Sequence, residues 1–334
     1  MKALVYKDPE VIEYETVPDI TAPFGEELIR IDAVGICGSD MHAYLGHDSR
    51  RPAPLILGHE AAGVITGGAR DGTRVTINPL VTCGTCVACT TGRDNLCPDR
   101  QIISMPPREG AFAEWVSMPG QNLVEVPDGT PLTKAALAEP IACGWHAVRL
   151  GRQILGDHPN QNRALVLGGG AIGLGAALSL KAQGIQDVTL IEPNDARRAF
   201  LIERCGQNAI SSGDLTPEDM FDMVIDGVGF SATRATASTH ARPGGVIMHI
   251  GLGENTGGLD IRRMTLQEIT FVGTYTYTAE DFRQTAQAIF NGDLGSLDWV
   301  DLRPLSEGPD AFADIRASRS VAPKTVLIPA HDCS

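Results

Sequence analysis

Short apolar runs broken by turn-forming residues fill the first part of the chain. Residues 3–6, 28–34, 61–66, 74–77, 112–118 and 123–126 read as strands, separated by Gly, Pro and Asp. Strands this short predict a small irregular β-barrel. Residues 133–150 are mostly apolar and predict a helix, broken or kinked at Pro140. From Arg163 the rhythm changes. Strands at 164–167, 188–191, 222–225 and 246–250 are apolar throughout, and helices at 171–183 and 195–205 fall between the first of them. Alternation of strand and helix predicts a parallel sheet covered on both faces. A strand at 269–273, a helix near 280–290 and a closing strand at 324–328 complete the pattern.

The fold class expected is therefore α/β, with a barrel domain and a doubly wound domain. A chain of 334 residues is too long for one ordinary core and suits two. The boundary is expected between residues 140 and 160. We place the barrel domain at 1–145 and 279–334, and the doubly wound domain at 146–278.

Composition narrows the function. Charged residues make up 20% and the formal net charge is −14, with a pI of about 5.0. Such a surface repels phosphate backbones and argues against nucleic acid as a partner. No apolar run approaches the ~20 residues of a membrane helix. The start, MKALVYKDPEVIEYE, lacks the apolar core of a secretory signal. A cytoplasmic, reducing location is expected, where eight cysteines suggest metal ligation before disulfides.

Four of those cysteines form the sharpest signal. In CGTCVACTTGRDNLC, Cys83, Cys86 and Cys89 recur at every third position and Cys97 follows eight later. Zinc takes four thiolates in a tetrahedron, and a loop with small residues can wrap one. Four thiolates close the coordination shell, so this site is expected to be structural. A zinc-finger role is disfavoured by the negative charge and by the lack of a following basic helix.

A second metal site is suggested by mixed ligands. Cys37 lies in GICGSDMH, and His59 and Glu60 lie in LGHEAAG. Each segment alone is weak, since a lone Cys is usually a small buried hydrophobe. Together they offer a thiolate, an imidazole and a carboxylate, the set of an open catalytic zinc. Glu139 can add a further ligand. Cys143, four residues on and on the same helical face, is the alternative.

Gly168-Gly169-Gly170-Ala171-Ile172-Gly173 fits the G-x-G-x-x-G fingerprint, between an apolar strand and a helix. Gly168 suits the tight turn, Gly170 the approach of a pyrophosphate, and Gly173 close helix–strand packing. The helix N-terminus offers free N–H groups to phosphates. Glu192 ends the next strand, nineteen residues after Gly173. A carboxylate there can bind the ribose hydroxyls and repel a 2′-phosphate, which favours NAD over NADP.

These motifs, in this order, resemble the zinc-containing medium-chain dehydrogenase family, which includes the alcohol, sorbitol and threonine dehydrogenases. The resemblance runs from the first residues to Lys324-Thr325-Val326-Leu327 and rests on CGSDxH, GHExxG, the four spaced cysteines, Glu139-Pro140 and the glycine fingerprint. It implies a GroES-like barrel with two zinc ions per chain, one catalytic and one structural, and a Rossmann domain for NAD. Cys37 and His59 are implied as catalytic zinc ligands, with Glu60 and Glu139 supplying carboxylates directly or through water. Glu139 is favoured over Cys143 because the Glu-Pro pair resembles the polyol branch.

By the same resemblance Ser39, His42 and Glu60 are the catalytic candidates. Ser39 takes the substrate proton, which passes through the nicotinamide ribose to His42. The plain readings of those two are a helix cap and a surface histidine. The cofactor-binding candidates are Gly168, Gly170, Ile172, Gly173, Glu192 and Arg197, the last matching an arginine that contacts the adenosine end in polyol-type relatives. Thr73 departs from the family pattern, standing where many relatives carry Asp. The substrate implied is a small polyol or secondary alcohol. The alternatives are threonine, a sugar-alcohol phosphate, or a protein that binds NAD and zinc without turnover. The apolar stretch 269–273 resembles the family's subunit-pairing edge and implies a homodimer or homotetramer.

Overall fold

The computed structural model describes residues 1–156 and 163–331. The chain forms two compact units. The first holds Met1–Glu139, Thr278–Asn291 and the chain from Val300 onward; the second holds Pro140–Tyr277 and Gly292–Trp299.

The first unit is built around the strand Glu26–Gly35. Its Ile29, Ile31 and Ala33 are fully buried, while Arg30 and Asp32 face the other way and pair at 3.2 Å. That period of two is what a half-buried strand requires. The sheet runs in the order Leu123–Glu125, Arg74–Ile77, Glu60–Thr66, Glu26–Gly35, Lys324–Ile328 and Val300–Pro304, and Trp115–Pro119 also pairs with Glu26–Gly35. Two registers matter for the site. Gly35 stands opposite Glu60, and on its other side Gly35 stands opposite Val326. Glu60 and the start of the last strand therefore meet at one end of Glu26–Gly35. Leu4, Ile31, Leu57, Ile65, Ile77, Phe112 and Phe312 form the apolar core.

Several strands fall outside the sequence reading, two of them longer than three residues. Val11–Thr16 hairpins onto Lys2–Asp8 but buries only Ile12. Val300–Pro304 lies parallel to Lys324–Ile328. Strands that bury so little carry a weak hydrophobic signal. The single kinked helix expected over 133–150 is two helices, Leu132–Ala135 and Ala138–Leu155. Pro140 does not break the second one. It stands in its first turn, where a missing N–H costs nothing.

The second unit is a six-stranded, all-parallel sheet. Its order is Asn208–Ile210, Asp187–Ile191, Arg163–Leu167, Phe221–Asp226, Ala241–His249 and Thr270–Gly273. The chain starts in the middle, winds outward on one side, then returns to the middle and winds outward on the other. This is the Rossmann order, and ligands bind at the reversal point beyond the carboxyl ends of the strands. Central strands such as Phe221–Asp226 are buried at every position, as two covered faces demand.

Candidate active site

Three ligand-type side chains converge in the first unit. A ligand atom each from Cys37, His59 and Glu60 lies within 4.8 Å of the others. Cys37 follows the strand Glu26–Gly35 and caps the helix Gly38–Tyr44. His59 and Glu60 open the strand Glu60–Thr66, after a turn at Gly58 with φ +90°. A Cβ at Gly58 would come within 2.6 Å of the Phe112 ring, so both the turn and the packing require glycine there.

Asp40 ties the two ligand loops together, a role the sequence reading missed. It is fully buried. Its carboxylate accepts from the Cys37 N–H at 2.9 Å and from the Gly58 N–H at 3.2 Å. It also lies 3.5 Å from His59 Nδ1, and Ser104 Oγ lies 3.4 Å from the same nitrogen. Carboxylate contacts to one ring nitrogen orient a histidine so that the other faces a metal. Burial works against both charges. Even so, His59 and Arg51 hold the Asp40 carboxyl below its usual range, and Asp40 and Cys37 hold the His59 imidazole well above its usual value.

Glu60 is fully buried. Oε1 accepts from Lys324 Nζ at 2.6 Å. Oε2 is buried with no hydrogen-bond partner. A buried carboxylate oxygen without a donor is costly unless a cation completes it. The set of thiolate, imidazole and carboxylate around that oxygen fits zinc with an open position. Glu139 is buried in the first turn of Ala138–Leu155 and adds negative potential at Lys324. Neither Glu139 nor Cys143 belongs to the close three-residue group among the described residues. Ser39 and His42 lie on the helix Gly38–Tyr44, Ser39 half-buried and His42 exposed.

Cys83, Cys86, Cys89 and Cys97 form a second group within 4.8 Å. Sulfur atoms stand 3.5 Å apart for Cys83–Cys97 and Cys86–Cys89, and 3.9 Å apart for Cys83–Cys89. These gaps are far longer than a disulfide bond of about 2.05 Å. They fit a tetrahedron of metal–sulfur bonds of about 2.3 Å, whose edges are about 3.8 Å. The Thr85 and Cys86 N–H groups pull the Cys83 thiol down to about 6. Burial and neighbouring thiols push Cys89 up to about 12. Four thiols this close cannot all ionise without a cation between them, and the donor set fits zinc.

In the second unit the fingerprint glycines occupy the reversal point of the sheet. Gly168 has φ +97°. A Cβ on Gly173 would lie 1.7 Å from the Gly168 carbonyl oxygen, whereas one on Gly170 would meet nothing within 4 Å. Gly170 therefore leaves an open cradle at the N-terminus of the helix Ala171–Ala182. Ile172 is half-buried beside it. Glu192 is buried and holds the turn itself, accepting from the Gly169 N–H at 3.0 Å and the Asn194 N–H at 2.8 Å. Arg197 is half-buried in the first turn of Asp195–Glu203, its N–H given to the Asn194 side chain at 2.9 Å.

Comparison with known proteins agrees with this layout. Residues 24–128 match the alcohol dehydrogenase GroES-like domain, and residues 171–291 match the zinc-binding dehydrogenase domain. Sorbitol dehydrogenase of Bacillus subtilis strain 168 is 34% identical over 296 residues, covering 83% of this chain and 82% of its own. L-galactonate-5-dehydrogenase of Escherichia coli K12 is 30% identical over 309 residues, covering 88% of each chain. A solved zinc-binding dehydrogenase of Sinorhizobium meliloti 1021, bound to NADP, superposes with a TM-score of 0.87 at 26% identity over 98% of this chain and 99% of its own. Motif order, domain matches and coverage agree, and the chain belongs to the zinc-containing medium-chain dehydrogenase family.

Proposed function

We propose that this protein moves a hydride between a polyol or secondary alcohol and NAD, with zinc held at Cys37, His59 and Glu60. The observation that carries this reading is the buried, unpartnered Oε2 of Glu60 beside a thiol and an imidazole. When bound, zinc supplies Lewis-acid activation of an alcohol oxygen and the nicotinamide ring accepts the hydride. The chain's own residues do the rest. Asp40 orients His59, and Glu139 adds a further carboxylate to the centre. Ser39 accepts the alcohol proton as it gives up its own hydroxyl proton, which passes on toward His42. His42, three residues along the same helix face and open to solvent, releases it. The tetracysteine cluster holds a second, structural zinc.

Gly168, Gly170, Ile172 and Gly173 cradle the pyrophosphate, with Arg197 toward the adenosine end. Glu192 supports NAD over NADP, because a 2′-phosphate would meet its carboxylate. A polyol substrate is supported by the similarity to sorbitol dehydrogenase. Four thiols in a metal-ready arrangement support a reducing, cytoplasmic setting. No described helix is long and apolar enough to cross a membrane.

The test is metal analysis joined to a substrate panel. About two zinc per chain and growth of NADH absorbance with a polyol are expected, with slower turnover on NADP, threonine and phosphorylated polyols. One chelator-resistant zinc, or NADH binding without turnover on any alcohol, would overturn the proposal.

A further inference from the structure

The metal centre has a buried cation beside it that belongs to the protein. Lys324 Nζ donates to Glu60 Oε1 at 2.6 Å and to the Ile36 carbonyl at 2.8 Å. The two side chains are 4% and 1% exposed. The lysine thus holds the carboxylate and also the peptide that leads into Cys37. Glu60 Oε2 is left buried and unpartnered. Its space exists because residue 35 is glycine: a Cβ there would lie 2.1 Å from Oε2.

We infer that Lys324 is a positioning residue that occupies one oxygen of Glu60 and so limits the carboxylate to one bond with a divalent cation. The inference rests on reading Cys37, His59 and Glu60 as a metal centre. Charge supports it. Around Lys324 stand Glu60, Cys37 and Glu139. Three anions, counting Cys37 as a thiolate, are balanced by one dication and one ammonium, and buried charges persist only when balanced. Without the ammonium the site carries excess negative charge and Glu60 is free to turn both oxygens to the metal. A metal held by both oxygens leaves less readily and presents less open coordination to a substrate.

The sign of this effect separates it from simple propping of the fold. Loss of a residue that only orders a metal site weakens the metal, typically by about 10–100-fold. Loss of Lys324 is expected to tighten it. The experiment uses the full-length protein, with zinc in the tetracysteine cluster and Co²⁺ exchanged into the other centre. Chelator extraction and the visible Co²⁺ absorption are followed together.

In Lys324→Met, extraction should slow by about tenfold or more, and the absorption should weaken as the coordination number rises. Lys324→Arg keeps a cation and should stay near the parent in both readouts. Lys324→Met leaves Glu60 as a buried charge without its partner, so a second comparison guards against misfolding. Added to Glu60→Gln, the Met substitution removes both charges and should change extraction by less than about threefold relative to Glu60→Gln alone. Unchanged or faster extraction in a folded Lys324→Met would overturn the inference. So would an effect of Lys324→Met that is equally large on top of Glu60→Gln. A parent protein that takes up metal only at the four cysteines would instead overturn the metal centre itself.

Discussion

At the scale of the residue, the site is organised by charges that no ligand motif names. Asp40 is the clearest case. One buried carboxylate accepts from the Cys37 and Gly58 N–H groups and faces His59, so it sets the backbone of both ligand loops and the orientation of the imidazole. Asp40→Asn preserves volume but turns one acceptor oxygen into a donor that faces N–H groups. It is expected to weaken metal at this centre by about 10–100-fold while the tetracysteine metal stays. Mass-spectrometric metal counts after graded chelator treatment check this, and equal retention at both sites would contradict it. Cys37, His59 and Glu60 were legible as candidates from residue type, and the fold brings the three together. Asp40 was in plain view within CGSDMH, but its role was not, because its partners at Gly58 and His59 are reached only when two loops close on each other.

At the scale of the element, the tetracysteine lobe reaches beyond its own loop. Asp94 lies between Cys89 and Cys97, and its carboxylate accepts from the Ala279 N–H at 3.0 Å. That amide is the first of the helix Ala279–Asn291. Thr278 and Asp281 satisfy each other's N–H groups in the same turn, at 3.2 and 3.1 Å. The lobe thus contributes part of the cap of a helix 185 residues away. Asp94→Ala should cost about 1 kcal/mol. Amide hydrogen exchange should quicken in the first turn of that helix and in the lobe, with the Rossmann sheet unchanged. Exchange confined to the lobe would show that the contact carries no stability. The glycine fingerprint, by contrast, was legible as an element. Its spacing sets a turn, a cradle and a close approach within one strand–turn–helix unit, so little of its geometry depends on distant chain.

For the whole molecule, the Rossmann sheet ends on Thr270–Gly273, a strand paired on one side only among the described residues. Beside it in sequence, Ile261 and Leu266 are 62% and 65% exposed. An open edge flanked by exposed apolar side chains favours pairing with a second copy. Light scattering is expected to give a dimer or tetramer, and Thr270→Lys with Val272→Lys is expected to lower the mass. A monomeric parent would refute this reading.

What the sequence determined by itself was everything set by short spacing. Strand and helix periods, the four-cysteine loop, the fingerprint turn and the separate CGSDMH and GHEAAG segments depend on neighbours within about a dozen positions. The tertiary structure decided what depends on closure of long loops. It placed Lys324 on Glu60 across 264 residues and Asp94 on Ala279 across 185. It moved the helix break to a point before Pro140, and it returned Gly292–Trp299 to the second unit. Buried charge is the physical reason. A lysine or an aspartate reads as a solvated surface residue until folding removes the water and leaves only the partner that neutralises it.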